Sequence, residues 1–561
     1  MTQKQVSDQN IKVRCINNGI TQEIPRGTSL LFIAEILDIK LKYPILGALV
    51  NNCIEELSYE VFQPKTIKFI DITHPDGMRM YLRSLSFILY KAVFDLFPDA
   101  RLRISHNISK GYYCQIDNPE NQLNETDILR IKEKMLEIVK ADFPFKRIVD
   151  ETEEVIKKFD ECKFYDKSNL LKHRGENYAT YYKIDGCIDS FYGYLVPSTG
   201  YIKVFDLNKY FDGILLQMPK KENPNELGEL ILQNKMFEIL KEFSHWNRIL
   251  EVMTIGDLNN FISSNKSELL IKVSEALHEK KISQIADMIN TRKSELKIIL
   301  ISGPSSSGKT TFGKRLAIQL LVNGIKPLNL SLDNYFVNRD QTPMDEHGQH
   351  DFEDFKAIDL ELFNKNLTDL LQGRKISLPK FSFDTGTRHF NGDTMQMKPE
   401  NVLIIEGIHG LNPRLTAAID PKAKFRIYVS ALTTLNIDDH NRISTTDNRL
   451  IRRIVRDFRY RNYSAQETIS RWQSVVKGEE KHIFPYQEEA DVMFNSALIY
   501  ELAVIKQYAE HILLEVQPNQ VEYSEAKRLL KFFSYFKSME SRGIPPTSIV
   551  REFVGGSSFM Y

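Results

Sequence analysis

The chain has 561 residues, of which 42% are apolar and 26% are charged, and its 74 basic side chains equal its 74 acidic ones. This length predicts about three to five domains, and the ordinary composition excludes a disordered chain, a collagen-like repeat and a disulfide-dense scaffold. The formal net charge of zero argues against a surface that binds polyanions everywhere, so any contact with nucleic acid would have to be local.

The cysteines and the first residues indicate no special compartment. The five cysteines are widely spaced in the first third of the chain and form no C-x-x-C pair, which is typical of buried or idle thiols. The stretch MTQKQVSDQN has no export or organelle pattern. No uncharged apolar run approaches the length of about 18 residues that a membrane-spanning helix needs. We therefore expect a cytoplasmic protein without a membrane contact.

Two regions of mixed character occupy the front of the chain. Over residues 11–73, short apolar runs alternate with turn signals, and LLFIAEIL and TIKFIDI are typical of a helix and a strand, which predicts a small mixed α/β module. The turn at 74–77 contains Pro and Gly, which interrupt helices and strands, and is a plausible boundary. Residues 74–262 are predicted to be α+β, with a helix in SLSFILYKAVFDLF and strands in YGYLV and YIKVFDL.

The periodicity changes twice in the second half. Over 263–295 the apolar residues recur mostly every three or four positions, which predicts a helical connector with one buried face. At 296–301 the run becomes almost continuously apolar, as expected of a strand buried on both faces of a parallel sheet. Such strands alternate with helical patterns up to 515, which predicts an α/β domain with right-handed crossovers. Residues 516–561 are predicted to be a helical extension.

A phosphate-binding loop of the form G-x-x-x-x-G-K-[ST] stands directly after the first of these strands. Its glycines let the backbone N–H groups point inward, Lys309 reaches the outer phosphates, and Thr310 can ligate magnesium. The helix that follows points its positive dipole end at the same anion. We therefore predict that a nucleotide is bound by Gly303, Pro304, Ser305, Ser306, Ser307, Gly308, Lys309, Thr310 and Thr311.

Two carboxylates and a basic helix complete the predicted site. Asp333 and Glu406 each end a strand-like run, where one can accept a proton from a hydroxyl and the other can hold a metal; the alternative is that each only caps a helix. The arginines between 449 and 461 have helical spacing, which favours either a lid over transferring phosphate or a solvated face paired with Asp447 and Asp457. Nucleic-acid binding by this stripe is less favoured, because few aromatic residues interleave with it. The arginines are Arg449, Arg452, Arg453, Arg456, Arg459 and Arg461.

The order of the motifs resembles the uridine kinase and phosphoribulokinase family. The resemblance covers about residues 296–515 and is carried by GPSSSGKTT, LSLDNYF, HDFEDFKAID, LPKFSFDTGTR, VLIIEGIHGL, RLIRRIVRD and EEADVMFN. It implies a kinase that uses ATP, or GTP as the alternative, with Mg²⁺. Asp333, as general base, and Lys309 would be catalytic, and Thr310 and Glu406 would hold the metal. It further implies substrate contacts by Asp351 (to ribose hydroxyls), Phe381, Phe383, Arg388 and Arg453, and a lid that carries Arg453, Arg456 and Arg461.

The positions that would select the nucleobase depart from the family pattern. Uridine kinases carry a tyrosine and a histidine where this chain has Phe381 and Gly386, and a lid glutamine where it has Arg471. Losing hydrogen-bonding groups weakens or redirects such selection. We therefore expect transfer to the 5′-hydroxyl of a nucleoside of undetermined base, with a phosphoribulokinase-like or other small-molecule kinase as the alternative.

The front of the chain resembles threonyl-tRNA synthetases. Residues 11–73 resemble their TGS β-grasp domain, and residues 74–262 resemble their editing domain through PDGMRMYLRSLSF, ARLRISHNISKGYYCQID, RGENY and VPSTGYIKVFDL. The positions of the family's H-x-x-x-H and C-x-x-x-H site are Arg83, Phe87, Phe191 and Leu195 here. None of these is a zinc ligand or a general base, so we predict no editing and instead a role in binding, regulation or assembly.

The sequence thus predicts a multidomain α/β and α+β protein in five parts. They are a TGS-like β-grasp module at 11–73, a synthetase-editing-like α+β domain at 74–262, a helical connector at 263–295, a P-loop α/β kinase domain with a parallel sheet at 296–515, and a helical extension at 516–561. We expect a homo-oligomer. A nucleotide-regulated protein that contacts tRNA through its front domains is the alternative function.

Overall fold

A computed structural model describes residues 10–118, 123–345, 348, 350–383 and 385–560. The elements of its first part are β1 (Asn10–Cys15), β2 (Thr21–Pro25), β3 (Thr28–Ser29), α1 (Leu30–Ile36), β4 (Gly47–Val50), β5 (Cys53–Glu56), β6 (Glu60–Val61) and β7 (Lys65–Ile70). Five strands form a mixed sheet in the order β2-β1-β7-β4-β5. Alternate residues of β1, among them Val13 and Cys15, enter a core shared with α1, because neighbouring strand residues face opposite sides.

Two antiparallel sheets and four helices follow. They comprise α2 (Pro75–Leu96), β8 (Arg101–Ile108), β9 (Gly111–Asp117), α3 (Glu125–Ala141), β10 (Lys146–Glu151), α4 (Thr152–Glu161), α5 (Tyr165–Lys172), β11 (Tyr178–Ile184), β12 (Cys187–Asp189), β13 (Asp206–Tyr210) and β14 (Gly213–Gln217). The sheets have the orders β13-β14-β9-β8 and β10-β11-β12. Leu85 and Phe87 of α2 and Ile131 of α3 share one core with β8 and β14.

Local structure in this region differs from the sequence-based expectation at two places. Pro75 begins α2 instead of interrupting a helix, because proline lacks only an N–H that the first helical turn leaves unbonded. The His74 ring caps the same end by accepting the N–H of Asp76 at 3.2 Å. The predicted strand YGYLV is wrong, since residues 192–196 form no strand and the N–H of Val196 donates to a side chain of α2. YIKVFDL is extended into a strand only from Asp206 onward.

Three helices lead to the second half of the chain. They are α6 (Asn234–Ile249), α7 (Ile255–Ser263) and α8 (Ser267–Thr291). α7 begins with a capping box in which Thr254 and Asp257 bond each other's backbone N–H groups, the arrangement that satisfies the first donors of a helix. Ile282, Ile285 and Ile289 of α8 are buried in the same core as the strands that follow.

The next region is an α/β unit around a parallel sheet. Its elements are β15 (Ile298–Ser302), α9 (Lys309–Val322), β16 (Lys326–Ser331), α10 (Leu360–Leu371), β17 (Lys375–Ser377), β18 (Lys380–Ser382), β19 (Thr387–His389), β20 (Thr394–Gln396), β21 (Asn401–Glu406), β22 (Lys424–Ser430), α11 (Thr445–Arg461), α12 (Ala465–His482), β23 (Val492–Asn495) and α13 (Glu501–Leu514). The sheet has the order β16-β21-β15-β22-β23, and every pairing in it is parallel. The predicted α/β domain with a parallel sheet is confirmed.

The last part of the chain is helical only in α14 (Tyr523–Phe533) and α15 (Arg551–Val554). The prediction of a helical extension is therefore wrong for the remaining residues of this part that the structure describes. Two consecutive prolines, Pro545 and Pro546, interrupt the helical pattern between the two helices. Arg551 fixes the irregular stretch instead, because its guanidinium donates to the carbonyl oxygens of Ser541 and Ile544 at 2.7 and 2.8 Å. Across the described part of the chain, no helix is both long and apolar enough to span a bilayer.

A buried ionic contact joins the front half to the parallel-sheet unit. Lys167 of α5 is 1% exposed, and its Nζ lies 2.8 Å from a carboxylate oxygen of Asp189 and 2.8 Å from one of Asp438. His440 Nδ1 is 2.7 Å from the other oxygen of Asp189. Asp438 and His440 belong to the loop between β22 and α11, so this loop is held by the front half.

We expect Lys167→Met to destabilise the protein strongly. The substitution leaves two buried carboxylates without their cation, a change that costs about 3–5 kcal/mol. The measurement is the urea unfolding midpoint and slope, followed by intrinsic fluorescence. Lys157→Met is the matched control, since Lys157 forms its ion pair with Glu154 on an exposed surface, and it should leave the midpoint unchanged. Equal effects of the two substitutions would contradict the assignment.

Candidate active site

The phosphate-binding loop lies between β15 and α9 and depends on two glycines. Gly303 has φ of 155° and Gly308 has φ of 81°, values that strain residues with a side chain. A Cβ at Gly303 would also overlap the carbonyl oxygen of Val429. The loop is therefore held closely against β22, and the predicted nucleotide-binding residues lie at the carboxyl end of the parallel sheet, where ligands of such sheets bind.

Lys309 begins α9 and lies among carboxylates. Its Nζ donates to the carbonyl oxygen of Pro304 at 3.0 Å. Its removal from water lowers the pKa of Lys309, and the surrounding negative charges oppose that shift. The carboxylates in electrostatic contact with it are Glu406, Asp333, Glu552 and Glu479. The charge of this lysine is thus stabilised by acidic residues from four separate parts of the chain.

Glu406 and Thr310, the two predicted metal ligands, lie next to each other. At the end of β21, Oε1 of Glu406 accepts hydrogen bonds from the hydroxyls of Thr310 and Ser331, both at 3.2 Å. Burial, followed by the negative charge of Asp333, raises the pKa of Glu406 to about 7. The carboxylates of Glu406 and Asp333 and the hydroxyl of Thr310 together offer oxygen ligands of the kind that Mg²⁺ prefers. The residues therefore fit a divalent cation.

The acidic stretch between β16 and α10 contributes two carboxylates in different roles. Asp351, the predicted substrate ligand, accepts the N–H groups of Glu353 and Asp354 at 3.0 and 3.1 Å, so one of its oxygens supports the local turn. Glu353 lies in electrostatic contact with Arg453, Glu479 and Asp333, and burial raises its pKa to about 7. Sequence reasoning missed Glu353. Its only local signal was its place two residues after Asp351 in the same acidic motif.

The predicted aromatic residues form one wall of the site. The ring centroids of Phe381 and Phe383 are 5.3 Å apart, and both contact Phe336. The guanidinium of Arg461 lies 4.5 Å from the centroid of Phe383, which joins this wall to α11. Arg388, in contrast, is 2.9 Å from Asp359 in an ion pair.

The two other positions that depart from the uridine kinase pattern lie in different surroundings. The N–H of Gly386 donates to the carbonyl oxygen of Ser382 at 2.8 Å, which closes the turn between β18 and β19. The guanidinium of Arg471 lies 4.8 Å from the centroid of Tyr463, near the junction of α11 and α12. The backbone of the aromatic wall is instead bonded by Arg339, whose guanidinium donates to the carbonyl oxygen of Phe383 at 2.8 Å.

The arginines of α11 fall into two groups. Arg449 and Arg452 are 1% and 0% exposed, so the alternative of a solvated face is wrong for them. Arg449 makes a bidentate pair with Glu479 at 2.6 and 2.7 Å, and Arg452 pairs with Glu501 at 2.6 Å. Both also donate to carbonyl oxygens of the phosphate-binding loop. These two residues therefore hold the loop in place.

The second group faces the site. The guanidinium of Arg453 donates to the Ser305 hydroxyl at 3.0 Å. Arg456 and Arg461 lie 2.8 and 3.6 Å from the carboxylate of Asp457, which they share. The neighbouring charge of Arg456, followed by burial, lowers the pKa of Arg461 to about 10. This surplus of positive charge favours binding of an anion, whereas Asp447, the other expected partner, pairs with Arg528.

Two glutamates from outside the loop accept hydrogen bonds from its backbone, and neither was predicted. Glu479 of α12 accepts the N–H of Ser305 at 2.8 Å. Glu552 of α15 accepts both the N–H of Thr311 at 3.3 Å and its hydroxyl at 2.5 Å. Glu552 is 9% exposed and forms no ion pair with a described residue. The C-terminal segment therefore places a buried carboxylate, in electrostatic contact with Lys309 and Lys314, at the helix end that receives phosphate.

Comparison with known proteins gives two separate matches. Residues 298–502 match the model of the Phosphoribulokinase / Uridine kinase family, so this stretch is a P-loop kinase domain of that family. The N-terminal region matches threonine–tRNA ligases. It is 30% identical over 198 residues to that of Carboxydothermus hydrogenoformans, which covers 35% of this chain and 31% of the ligase. The ligase of Desulforamulus reducens is 31% identical over 193 residues, 34% of this chain and 30% of its own.

The chain thus spans about a third of the length of these relatives. Among solved structures, a possible uridine kinase from Bacillus stearothermophilus aligns with a TM-score of 0.27 and 19% identity, covering 38% of this chain and 98% of its own. A D-glycerate 3-kinase from Cryptococcus neoformans aligns with a TM-score of 0.22 and 15% identity, covering 47% and 89%. TM-scores this low do not support a function. The family match and the geometry of the site are therefore the basis for the proposed function.

We expect Glu552→Gln to tighten nucleotide binding. The substitution keeps the shape of the side chain but removes a buried negative charge from the position next to the incoming phosphates, and like charges so placed oppose binding by a factor of about ten or more. Isothermal titration with ATP measures the effect. Glu540→Gln is the control, because Glu540 is exposed. An unchanged or weaker affinity for ATP in Glu552→Gln would contradict this role.

Proposed function

Because residues 298–502 form a kinase domain of this family, we propose that the chain transfers the terminal phosphate of ATP to a hydroxyl of a small ribosyl compound, most simply the 5′-hydroxyl of a nucleoside. One observation carries the proposal. Lys309, Asp333 and Glu406 come together at the carboxyl ends of neighbouring parallel strands, in mutual electrostatic contact. An ATPase or GTPase needs only the phosphate-binding loop and the metal ligands. The acidic and aromatic groups around Asp333 would in addition bind an acceptor molecule, which a kinase needs.

On the donor side, the loop amides and Lys309 bind the outer phosphates. Thr310 and Glu406 are the residues that would hold Mg²⁺, which neutralises phosphate charge during the transfer. Arg453, next to the Ser305 hydroxyl, and Arg456 stabilise the negative charge of the transferring group. Because Arg449 and Arg452 fix the loop, these groups are already oriented before transfer, which lowers the reorganisation needed during the reaction.

On the acceptor side, Asp333 accepts the proton of the attacking hydroxyl. Glu353 and Asp351 supply carboxylate oxygens for the hydroxyls of a ribose, and Phe381 and Phe383 supply an apolar wall. The wall offers no hydrogen-bonding edge for a base. Apolar walls discriminate weakly between related ligands, so we propose a kinase with broad base tolerance.

A phosphorylated sugar is a second candidate acceptor. The observation that favours it is the unbalanced positive charge of Arg456 and Arg461, which share the single carboxylate of Asp457. Guanidinium groups bind phosphate in a bidentate manner. The acceptor is determined by a screen of nucleosides and phosphosugars in which ADP release is measured with purified protein, ATP and Mg²⁺. Turnover of none of these compounds would overturn the kinase proposal.

The general-base role gives a sharper test. We expect Asp333→Asn to reduce turnover by about a hundredfold or more, the usual scale for losing a general base, while ATP affinity stays unchanged. Single-turnover kinetics measure the first quantity and titration calorimetry the second. Asp340→Asn is the matched control, since Asp340 is an exposed carboxylate seven residues further along. Equal turnover of the Asp333 variant and the unaltered protein would remove Asp333 from this role.

We also propose that the front half is a TGS-like module followed by a synthetase-editing-like domain that does not edit. Phe87, Phe191 and Leu195 are buried, and the rings of Phe87 and Phe191 are 5.5 Å apart, so these positions form core. The matching relatives are tRNA ligases, which supports tRNA binding as the alternative function. A tRNA titration across salt concentration tests it, because binding through phosphates weakens steeply with salt; absence of binding at low salt would exclude it.

A further inference from the structure

Arg83 is the one charged residue among the four positions that match the synthetase editing site. Its guanidinium lies 4.4 Å from the ring centroid of Tyr192. A Cβ at Gly193 would overlap this guanidinium, so Arg83 lies directly against the glycine backbone. The next residue, Tyr194, has the guanidinium of Arg147 at 5.6 Å from its ring centroid. Arg83 and Arg147 therefore both contact the short segment 192–194.

A second pair of cations approaches from the other side. The guanidinium of Arg174 lies 4.5 Å from the ring centroid of Tyr535, and Lys531 is exposed one helical turn before Tyr535. Arg174 pairs with Glu176 at 2.5 Å, yet its Nε is buried without a hydrogen-bond partner. This side therefore also carries an unsatisfied donor.

The two pairs converge. Tyr192 packs against the hydrophobic cluster that contains Tyr535. Lys531 keeps an exposed surface, but the surrounding protein partly removes its ammonium from water. This, followed by the positive charges of Arg83, Arg174 and Arg147, lowers the pKa of Lys531 to about 8, and Glu176 opposes that shift. We call Arg83, Arg147, Arg174 and Lys531 the four-cation site.

The carboxylates around the four-cation site do not balance it. Glu176 is already paired with Arg174. Glu55 and Glu56 lie near Arg147 but bond the hydroxyls of Tyr194 and Tyr182. Within the described part of the chain, Arg83, Arg147 and Lys531 form no ion pair. One turn earlier on α14, Arg528 is fully paired with Asp447 and Glu525.

We infer that the four-cation site binds a small phosphate-bearing ligand. Guanidinium groups match phosphate oxygens with paired hydrogen bonds, and an amine adds a point charge. Each of the three arginines is in electrostatic contact with Lys531, and Arg83 and Arg147 stack on neighbouring tyrosines, whereas a nucleic-acid surface would spread the cations along a backbone path. A compact anion such as a pyrophosphate or a phosphoester therefore fits better than a nucleic-acid strand.

The test uses inorganic pyrophosphate as the probe. Competitive acetylation of the full-length protein, followed by mass spectrometry, reports the reactivity of Lys531 separately from every other lysine, including Lys309. We expect pyrophosphate to protect Lys531 in a saturable manner. Lack of protection at tens of millimolar pyrophosphate would overturn the inference.

Substitutions locate the contact. We expect Arg83→Gln, and independently Arg147→Gln, to weaken protection of Lys531 about tenfold, the scale of losing one charge-assisted hydrogen bond. Arg147 is exposed, so its variant tests the site even if Arg83→Gln fails to fold. Arg248→Gln, an exposed arginine of α6, is the control for net charge. Equal weakening by Arg248→Gln would overturn the inference in favour of general screening.

A third arm separates a small ligand from nucleic acid. The same acetylation is repeated with a twelve-nucleotide RNA that lacks terminal phosphates. We expect pyrophosphate to protect Lys531 and the RNA to leave it reactive. Protection by the RNA at concentrations where pyrophosphate has no effect would overturn the inference and assign the surface to nucleic acid.

Discussion

The site depends on one constraint: carboxylates of the protein itself accept hydrogen bonds from the phosphate-binding loop. Glu479 accepts the N–H of Ser305, and Glu552 accepts the N–H of Thr311. Backbone donors that turn inward need partners, and here the partners come from α12 and α15. A nucleotide that binds the loop therefore has to compete with Glu552 for the N–H group of Thr311. Residue 552 is therefore expected to influence nucleotide affinity together with the loop sequence.

Two buried ion pairs make this arrangement rigid. Arg449 with Glu479 and Arg452 with Glu501 are almost completely removed from water. Burying an ion pair costs more free energy than its attraction returns unless further hydrogen bonds satisfy both partners, and both arginines supply these by donating to loop carbonyls. The start of α11 is thus part of the loop's support. The arginines of α11 that face the site are the later ones, Arg453, Arg456 and Arg461.

The sequence predicted those parts of the site that are local. Gly303, Lys309 and Thr310 lie within one motif, and the continuous apolar runs identified the strands of the parallel sheet. Glu479 and Glu552 were missed, because they reach the site from distant positions through tertiary packing that no short pattern contains. Glu353 was missed although it lies in the same acidic motif as Asp351, because the motif does not show which of its carboxylates is buried. The spacing of the α11 arginines placed them on one helix face, yet burial separates Arg449 and Arg452 from the rest. The misassigned strand at 192–196 has the same cause, since α2 provides its hydrogen-bond partner.

The loop that leads into α11 gives the front half a physical connection to the site. Two carboxylates of that loop bind the front half: Asp438 contacts Lys167, and Asp439 contacts Arg101 and Arg103. α11 begins six residues after Asp439, and its first turn is held again through Asp447 by Arg528 of α14. A shift of the front half would therefore move the N-terminal end of α11, where Arg449 and Arg452 support the loop. Asp438, Asp439 and Asp447 are held by charge-assisted hydrogen bonds of defined geometry, so these bonds are the contacts that would pass such a shift on to α11.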